Sequence, residues 1–205
     1  PSETVFTTLE KPDDRNITLS GQYYAPGDGK NILMPLVFCR ECGQEYYCVR
    51  KRPDDSENTV HFEPREVYDR ISNQEEGVAG YLYYSDSSPW PEDYEEALKR
   101  FPEDWLENQG GVPRLPKSRR HWLPKVVRID TSGKISSEGL PYAFMQAPFR
   151  FCPSCGVAYG TQQRSDYSKL ASLGTEGRST ATTILTLSAI RELLRDEKLS
   201  REARK

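Results

Sequence analysis

Two strings, FCRECG at 38–43 and FCPSCG at 151–156, repeat one pattern: Phe, Cys, two residues, Cys, Gly. A tight turn of this kind aims two thiolates at one point, with backbone amides directed at the sulfurs. Glycine after the second cysteine, here Gly43 and Gly156, permits the positive φ that such a turn commonly needs. Together the two turns offer Cys39, Cys42, Cys152 and Cys155, the four-sulfur tetrahedral set of a closed structural zinc site. One structural Zn²⁺ is therefore expected, with no open position for catalysis. An iron–sulfur cluster also takes four thiolates, and spacing does not separate the two. A redox dithiol would need a thioredoxin-like strand–turn–helix context, which the string does not show. Between the turns lie 109 residues, 43–151, far more than a simple zinc ribbon holds. The chain between them must fold as an element of its own, and the metal would then tie the beginning of the domain to its end.

The cysteine count is five, so one is left over. Cys48, in QEYYCVRKR, has no neighbouring histidine or helix start to activate it and reads as a core or edge-strand residue. His61 and His121 stand alone; four cysteines already suffice. Paired CxxC turns without a secretory signal favour metal binding in a reducing, cytoplasmic compartment over disulfides. No stretch approaches the ~18 apolar residues of a membrane span. The start at Pro1 and the uncapped helical ending LSREARK read as a piece of a longer protein.

The fold class expected is α+β, with antiparallel strands, two knuckle turns forming one zinc-ribbon-like site, a long insert and a C-terminal helix. Residues 1 to about 30 read as an arm or edge strand with an exposed turn at YAPGDGKN. ILMPLVF (32–38) is a buried strand entering the first turn, and 45–50 is the strand leaving it. RPDDSEN (52–58) is a loop and VAGYLYYS (78–85) a strand. PEDYEEALKR predicts a helix at about 91–100, with Pro91 in its first turn and acids at its positive end. Another turn is expected at 103–108. HWLPKVVRIDTSGKISS reads as two strands around Ser132-Gly133. AFMQAPFRF (143–151) is a strand running into the second turn. RSTATTILTLSAIRELLRDEKL carries Ile184, Leu187, Ile190, Leu193 and Leu194 at helical spacing, capped by Ser179 or Thr180. The domain division is 1–177, with an insert at about 52–142, and a helix at 178–205.

Charge is unevenly placed although the net value is only −3. Residues 63–107 hold 13 acids against 4 bases. RLPKSRRHWLPKVVR (114–128) holds Arg114, Lys117, Arg119, Arg120, Lys125 and Arg128 without an acid, and Trp122 lies among them. Bases beside an aromatic suit phosphates and a stacked nucleobase; a solvated loop balancing the acidic half is the plainer reading. Arg178, at a helix start, could also face a phosphate, although simple N-capping explains GRST as well. Gly29-Lys30 and Gly133-Lys134 lack the rest of a P-loop, and no DExH, GxSxG or HExxH string occurs. The chain alone is not expected to hydrolyse ATP.

FCRECGQEYY, FRFCPSCGVAYG and SLGTEGRSTATTILTLSAIREL resemble a segment of very large bacterial superfamily-2 helicases of the DEAD/DEAH type. The resemblance is strongest at the two cysteine turns and at GRSTATTIL, and weak across 52–118. It implies a place between two RecA-like motor domains, with the final helix leading into the second. It implies a DNA helicase or translocase as the parent chain, the flanking motor domains as partners, and a role for the four cysteines alone. Two further functions stay open: a protein–protein interaction module that touches no nucleic acid, and an enzyme using Cys48 or one CxxC pair.

Overall fold

The computed structural model describes residues 4–27, 29–54, 59–66, 77–160, 162–163, 165–172, 182–183 and 185–190. Strands form where aromatic and β-branched residues cluster. The edge pair is β1 (Phe6–Thr7) and β2 (Ile17–Thr18). The long strands are β3 (Met34–Cys39), β4 (Glu45–Asp54), β5 (Thr59–Pro64) and β6 (Val78–Tyr83). A small hairpin follows, β7 (Glu107–Gln109) with β8 (Val112–Arg114). Then come β9 (Lys125–Ile129), β10 (Leu140–Gln146) and β11 (Leu170–Ala171). All the pairings are antiparallel, in the order β2-β1-β3-β4-β6-β10-β9, with β11 on β3 and β5 on β4.

β4 organises the sheet. Its first half pairs with β3 (Leu36 opposite Tyr47) and its second half with β5 (Val49 opposite Pro64). β6 pairs along it from Tyr46 to Lys51. Bridges from His61 to Lys134 and from Ile129 to Ile135 join β5 to the end of β9. The pairing path β4–β5–134/135–β9–β10–β6–β4 thus closes on itself, leaving β5 without a long bare edge.

Strand side chains alternate between the two faces, and both faces are covered. One face gathers Leu36, Tyr47, Val49, Phe62, Leu82, Ile129, Tyr142 and Phe144. The N-terminal segment adds to it, with Val5 and Leu9 buried, so it is part of the sheet rather than a loose arm. The other face gathers Val37, Cys39, Tyr46, Cys48, Tyr81, Tyr83, Ala143 and Met145. An aromatic layer of Trp90, Phe101, Phe149 and Phe151 covers it. Gly80 sits where a Cβ would strike the Phe144 ring and the Met145 carbonyl. Gly80→Ala should therefore cost about 1–3 kcal/mol, as overpacking does. Thermal unfolding checks this, and an unchanged melting temperature would mean that Phe144 yields freely.

The helix expected at 91–100 is α1 (Tyr94–Lys99), one turn shorter at its start. Asp93 caps it, accepting from the amides of Glu95 and Glu96 at 3.0 Å, and this side-chain cap sets the start rather than Pro91. The expected turn at 103–108 is a 3-10 turn at Glu103–Trp105 that leads into β7. The loop expected at 52–58 begins later, because β4 runs to Asp54, where Thr59 of β5 partners it. Beyond Ser132-Gly133 no full strand forms; Lys134 and Ile135 make single bridges only, and β10 is the partner of β9. β10 ends at Gln146 rather than reaching Phe151. The stretch 52–142 supplies β5, β6, β9 and the start of β10 to the same sheet as β3. The class is α+β with the sheet dominant.

Residues 182–183 and 185–190 are helical, as the spacing predicts. Leu185 and Ile190 on that helix are exposed. Ile184, Leu193, Leu194, the Ser179/Thr180 cap and Arg178 lie outside the described residues. Among the described residues, no helix is long and apolar enough to cross a membrane.

Candidate metal centre

β3 delivers Cys39 at its last position, and the chain turns through 40–44 into β4. Gly43 N donates to Cys39 O at 2.8 Å, and Cys39 N donates to Gln44 O at 2.8 Å. The second turn repeats this wiring: Gly156 N donates to Cys152 O at 2.8 Å and Cys152 N to Val157 O at 2.9 Å. Gly43 and Gly156 have φ of +72° and +76°, the left-handed region where a side chain is strained. Both turns thus have the geometry that their sequence pattern predicts. A single bridge between Phe151 and Ala158 closes the second, where the first sits between full strands.

The turns meet. Cys39 Sγ lies 4.0 Å from Cys155 Sγ, and Cys42 Sγ lies 3.7 Å from Cys152 Sγ. All four sulfurs fall within 4.8 Å of one another, and no two are bridged. Metal–sulfur bonds of about 2.3 Å at tetrahedral angles place sulfurs about 3.8 Å apart, so the quartet is positioned to hold one metal ion. Cys39 and Cys152 are fully buried, Cys42 is half-buried and Cys155 is exposed.

The site is braced from several sides. Tyr46, buried on β4, donates its hydroxyl to Cys152 Sγ at 3.0 Å. Burial first, and the Cys152 charge next, push the Tyr46 phenol well above its ordinary value, so it remains a donor. Arg100, at the end of α1, donates to Pro153 O at 3.0 Å inside the second turn and lies over the Trp90 ring. β11 pairs with Phe38 and Cys39, and Arg40 N donates to Lys169 O at 3.2 Å.

Without a cation the four thiols cannot all ionise. Hydrogen bonding with Cys152, then with Cys42, and then burial hold Cys39 well above the ordinary thiol value. Hydrogen bonds from Cys152 and then Cys39 hold Cys42 well below it. A divalent ion removes this conflict by balancing the charge. Cys48 stands apart: it is fully buried on β4, and burial pushes its thiol up to about 12. His61 is engaged with Glu63 at 3.0 Å and His121 contacts the Trp122 ring, so neither joins the quartet.

The basic segment is spread over three places. Arg114 ends the β7–β8 hairpin. Lys117, Arg119, Arg120 and Trp122 lie on a 3-10 stretch, Lys117–Trp122. Lys125 and Arg128 of β9 line a groove of about 510 Å³ opposite Pro91, Glu92 and Tyr94 of the α1 region. Trp122 is half-buried: its ring packs edge-on against Trp105 at 5.0 Å and carries Arg119 over it at 5.6 Å.

No family model, curated protein or solved structure matches the chain. Sequence reading missed Tyr46, Arg100 and a buried ion pair, Asp166–Lys169, beneath the second turn. Tyr46 had a signal, since a hairpin about the first turn sets it opposite Val37, two residues from Cys39 and so on the same face. Arg100 and Asp166 had none, because their partners lie 53 and 17 residues away.

Proposed function

We propose that the four cysteines bind one structural Zn²⁺ in a zinc-ribbon-like site, and that the chain is an accessory domain of an ATP-dependent DNA helicase or translocase. The observation that carries the metal reading is the approach of four sulfurs to within 4.8 Å from turns 109 residues apart. A single ion fits that spacing; a cluster of several irons and sulfides would hold its ligands wider apart. The two buried and well-braced thiols favour a structural role. The resemblance of the cysteine turns and of GRSTATTIL to helicase segments supports the parent assignment, and the exposure of Leu185 and Ile190 on the helical residues 185–190 suits a connection to a following motor domain.

In this reading the exposed bases Arg114, Lys117, Arg120, Lys125 and Arg128, with Arg119, contact the DNA strand that the motor pulls. The full chain should bind single-stranded or forked DNA with a strong salt dependence. Changing Arg119 and Arg120 to Ala should weaken binding and lower the log–log salt slope by about 0.7 for each lost phosphate contact. Fluorescence anisotropy across a salt series reads both. Unchanged affinity would remove the nucleic-acid part of the proposal. A second reading, a protein-docking module, draws on the exposed Leu185 and Ile190, and recovery of a protein partner after nuclease treatment would favour it.

A further inference from the structure

The second cysteine turn and the basic segment meet at one side chain. Arg150 stands two residues before Cys152, and its carbonyl accepts from Tyr159 N at 2.8 Å, which fixes it at the base of the turn. Its guanidinium lies over the Trp122 ring at 5.1 Å, and Arg119 lies over the same ring at 5.6 Å. The Arg119 guanidinium donates one bond, to Trp105 O at 3.0 Å. Arg150 Nε and Nη1 are buried with no hydrogen-bond partner among the described residues. Glu103 and Asp104, on the turn that carries Trp105, form no ion pair with either arginine among the described residues.

Two permanent cations held against one aromatic ring, one of them with unused donors, are arranged for an anion. We propose that Arg150 is a phosphate-binding residue acting with Arg119 on the Trp122 platform, and that the ligand is the backbone of a single-stranded nucleic acid. The inference rests on the nucleic-acid contact proposed above and adds a residue from outside the basic run. A guanidinium fork matches phosphate oxygens in a two-bond geometry. The exposed Lys117 and Arg120, on the same 3-10 stretch as Trp122, suit a ligand that presents a phosphate at every residue. Trp122 then has a different task from the base-stacking one that the sequence suggests: it seats arginines. The cysteine turn in turn fixes where Arg150 stands relative to the 3-10 stretch.

The test uses the full chain and a fluorescent 15-residue oligothymidylate. Arg150→Gln should bind about tenfold more weakly and lose about 0.7 from the salt slope, with the melting temperature unchanged. Arg150→Lys, which keeps the charge and loses the fork, should keep the slope and bind with intermediate affinity. Side-chain NMR of the unmodified chain gives a readout that a purely structural arginine would not move. The Arg150 Nε–H signal should shift on titration and saturate with the affinity seen by anisotropy. A stationary signal, or native binding by Arg150→Gln while the Arg119 and Arg120 variants fail, overturns this inference and leaves the basic-segment reading standing. No binding by the unmodified chain overturns both. Equal competition by a polyglutamate peptide of the same charge overturns the nucleic-acid assignment. If Arg150→Gln does not fold, the NMR titration decides alone.

Discussion

With Cys39 changed to Ser, the purified chain should carry no zinc and melt on the order of 10–20 °C below the unmodified one. Cys39 is fully buried at the end of β3, and its sulfur contacts that of Cys155. Serine offers a neutral hydroxyl in place of a thiolate, which leaves three sulfurs and a much weaker site. The loss reaches beyond the ligand. β3 pairs with β1, β4 and β11, so a displaced Cys39 loosens the strand on which the sheet is ordered. The domain also has a second apolar cluster that contains none of the four cysteines, so a destabilised fold is expected rather than a random chain. Metal analysis by mass spectrometry and thermal unfolding check the result. Cys48→Ala, which removes a buried sulfur but no ligand, is the control and should keep its zinc. A metal-free unmodified protein with the same melting temperature as Cys39→Ser would overturn the structural-zinc reading.

Asp166→Ala should cost about 3–5 kcal/mol, because it leaves a buried lysine without its counter-charge. Lys169 is fully buried, 3.0 Å from Asp166, and also donates to Phe149 O at 2.8 Å. The Asp166 carboxylate further receives Phe149 N at 2.9 Å and the Tyr81 hydroxyl at 2.8 Å. Burial first, and the Asp166 charge second, push the Tyr81 phenol well above its ordinary value, which keeps it a donor. This one side chain thus joins the segment 165–171 to β6 and to the approach to the second cysteine turn. The matching double variant, Asp166→Ala with Lys169→Met, should recover part of the loss, since no buried charge remains. Denaturant unfolding of the four proteins gives the coupling. Full additivity would show that the pair contributes no mutual interaction.

How much the sequence discloses depends on how local the cause is. The cysteine turns are legible because a turn is written in adjacent residues, and the quartet follows from pairing two identical half-sites. β3, β4, β6 and α1 are legible for the same reason, since alternation, aromatic content and capping are short-range. Boundaries are less so. β4 extends past its expected end because β5 supplies partners, and the strand expected beyond Gly133 is reduced to bridges because β10 takes its place on β9. Trp122 shows the limit most clearly. Its neighbours in sequence are bases, which suggest an exposed platform, but its ring is placed by Trp105 and Arg150, 17 and 28 positions away. Nothing in the sequence around Asp166 and Lys169 marks the buried pair that they form.

The sulfurs that meet across the two turns are separated by 110 and 116 positions in the chain. On a ribosome adding ~5–20 residues per second, the first cysteine pair waits roughly 5–20 s for the second to be made. During that interval Cys39 and Cys42 can offer only half a coordination sphere, and β3 lacks β11 on its flank. On the proposed zinc reading, metal loading is a late event in the birth of this domain, and a cell short of zinc would accumulate chains stalled at that last step.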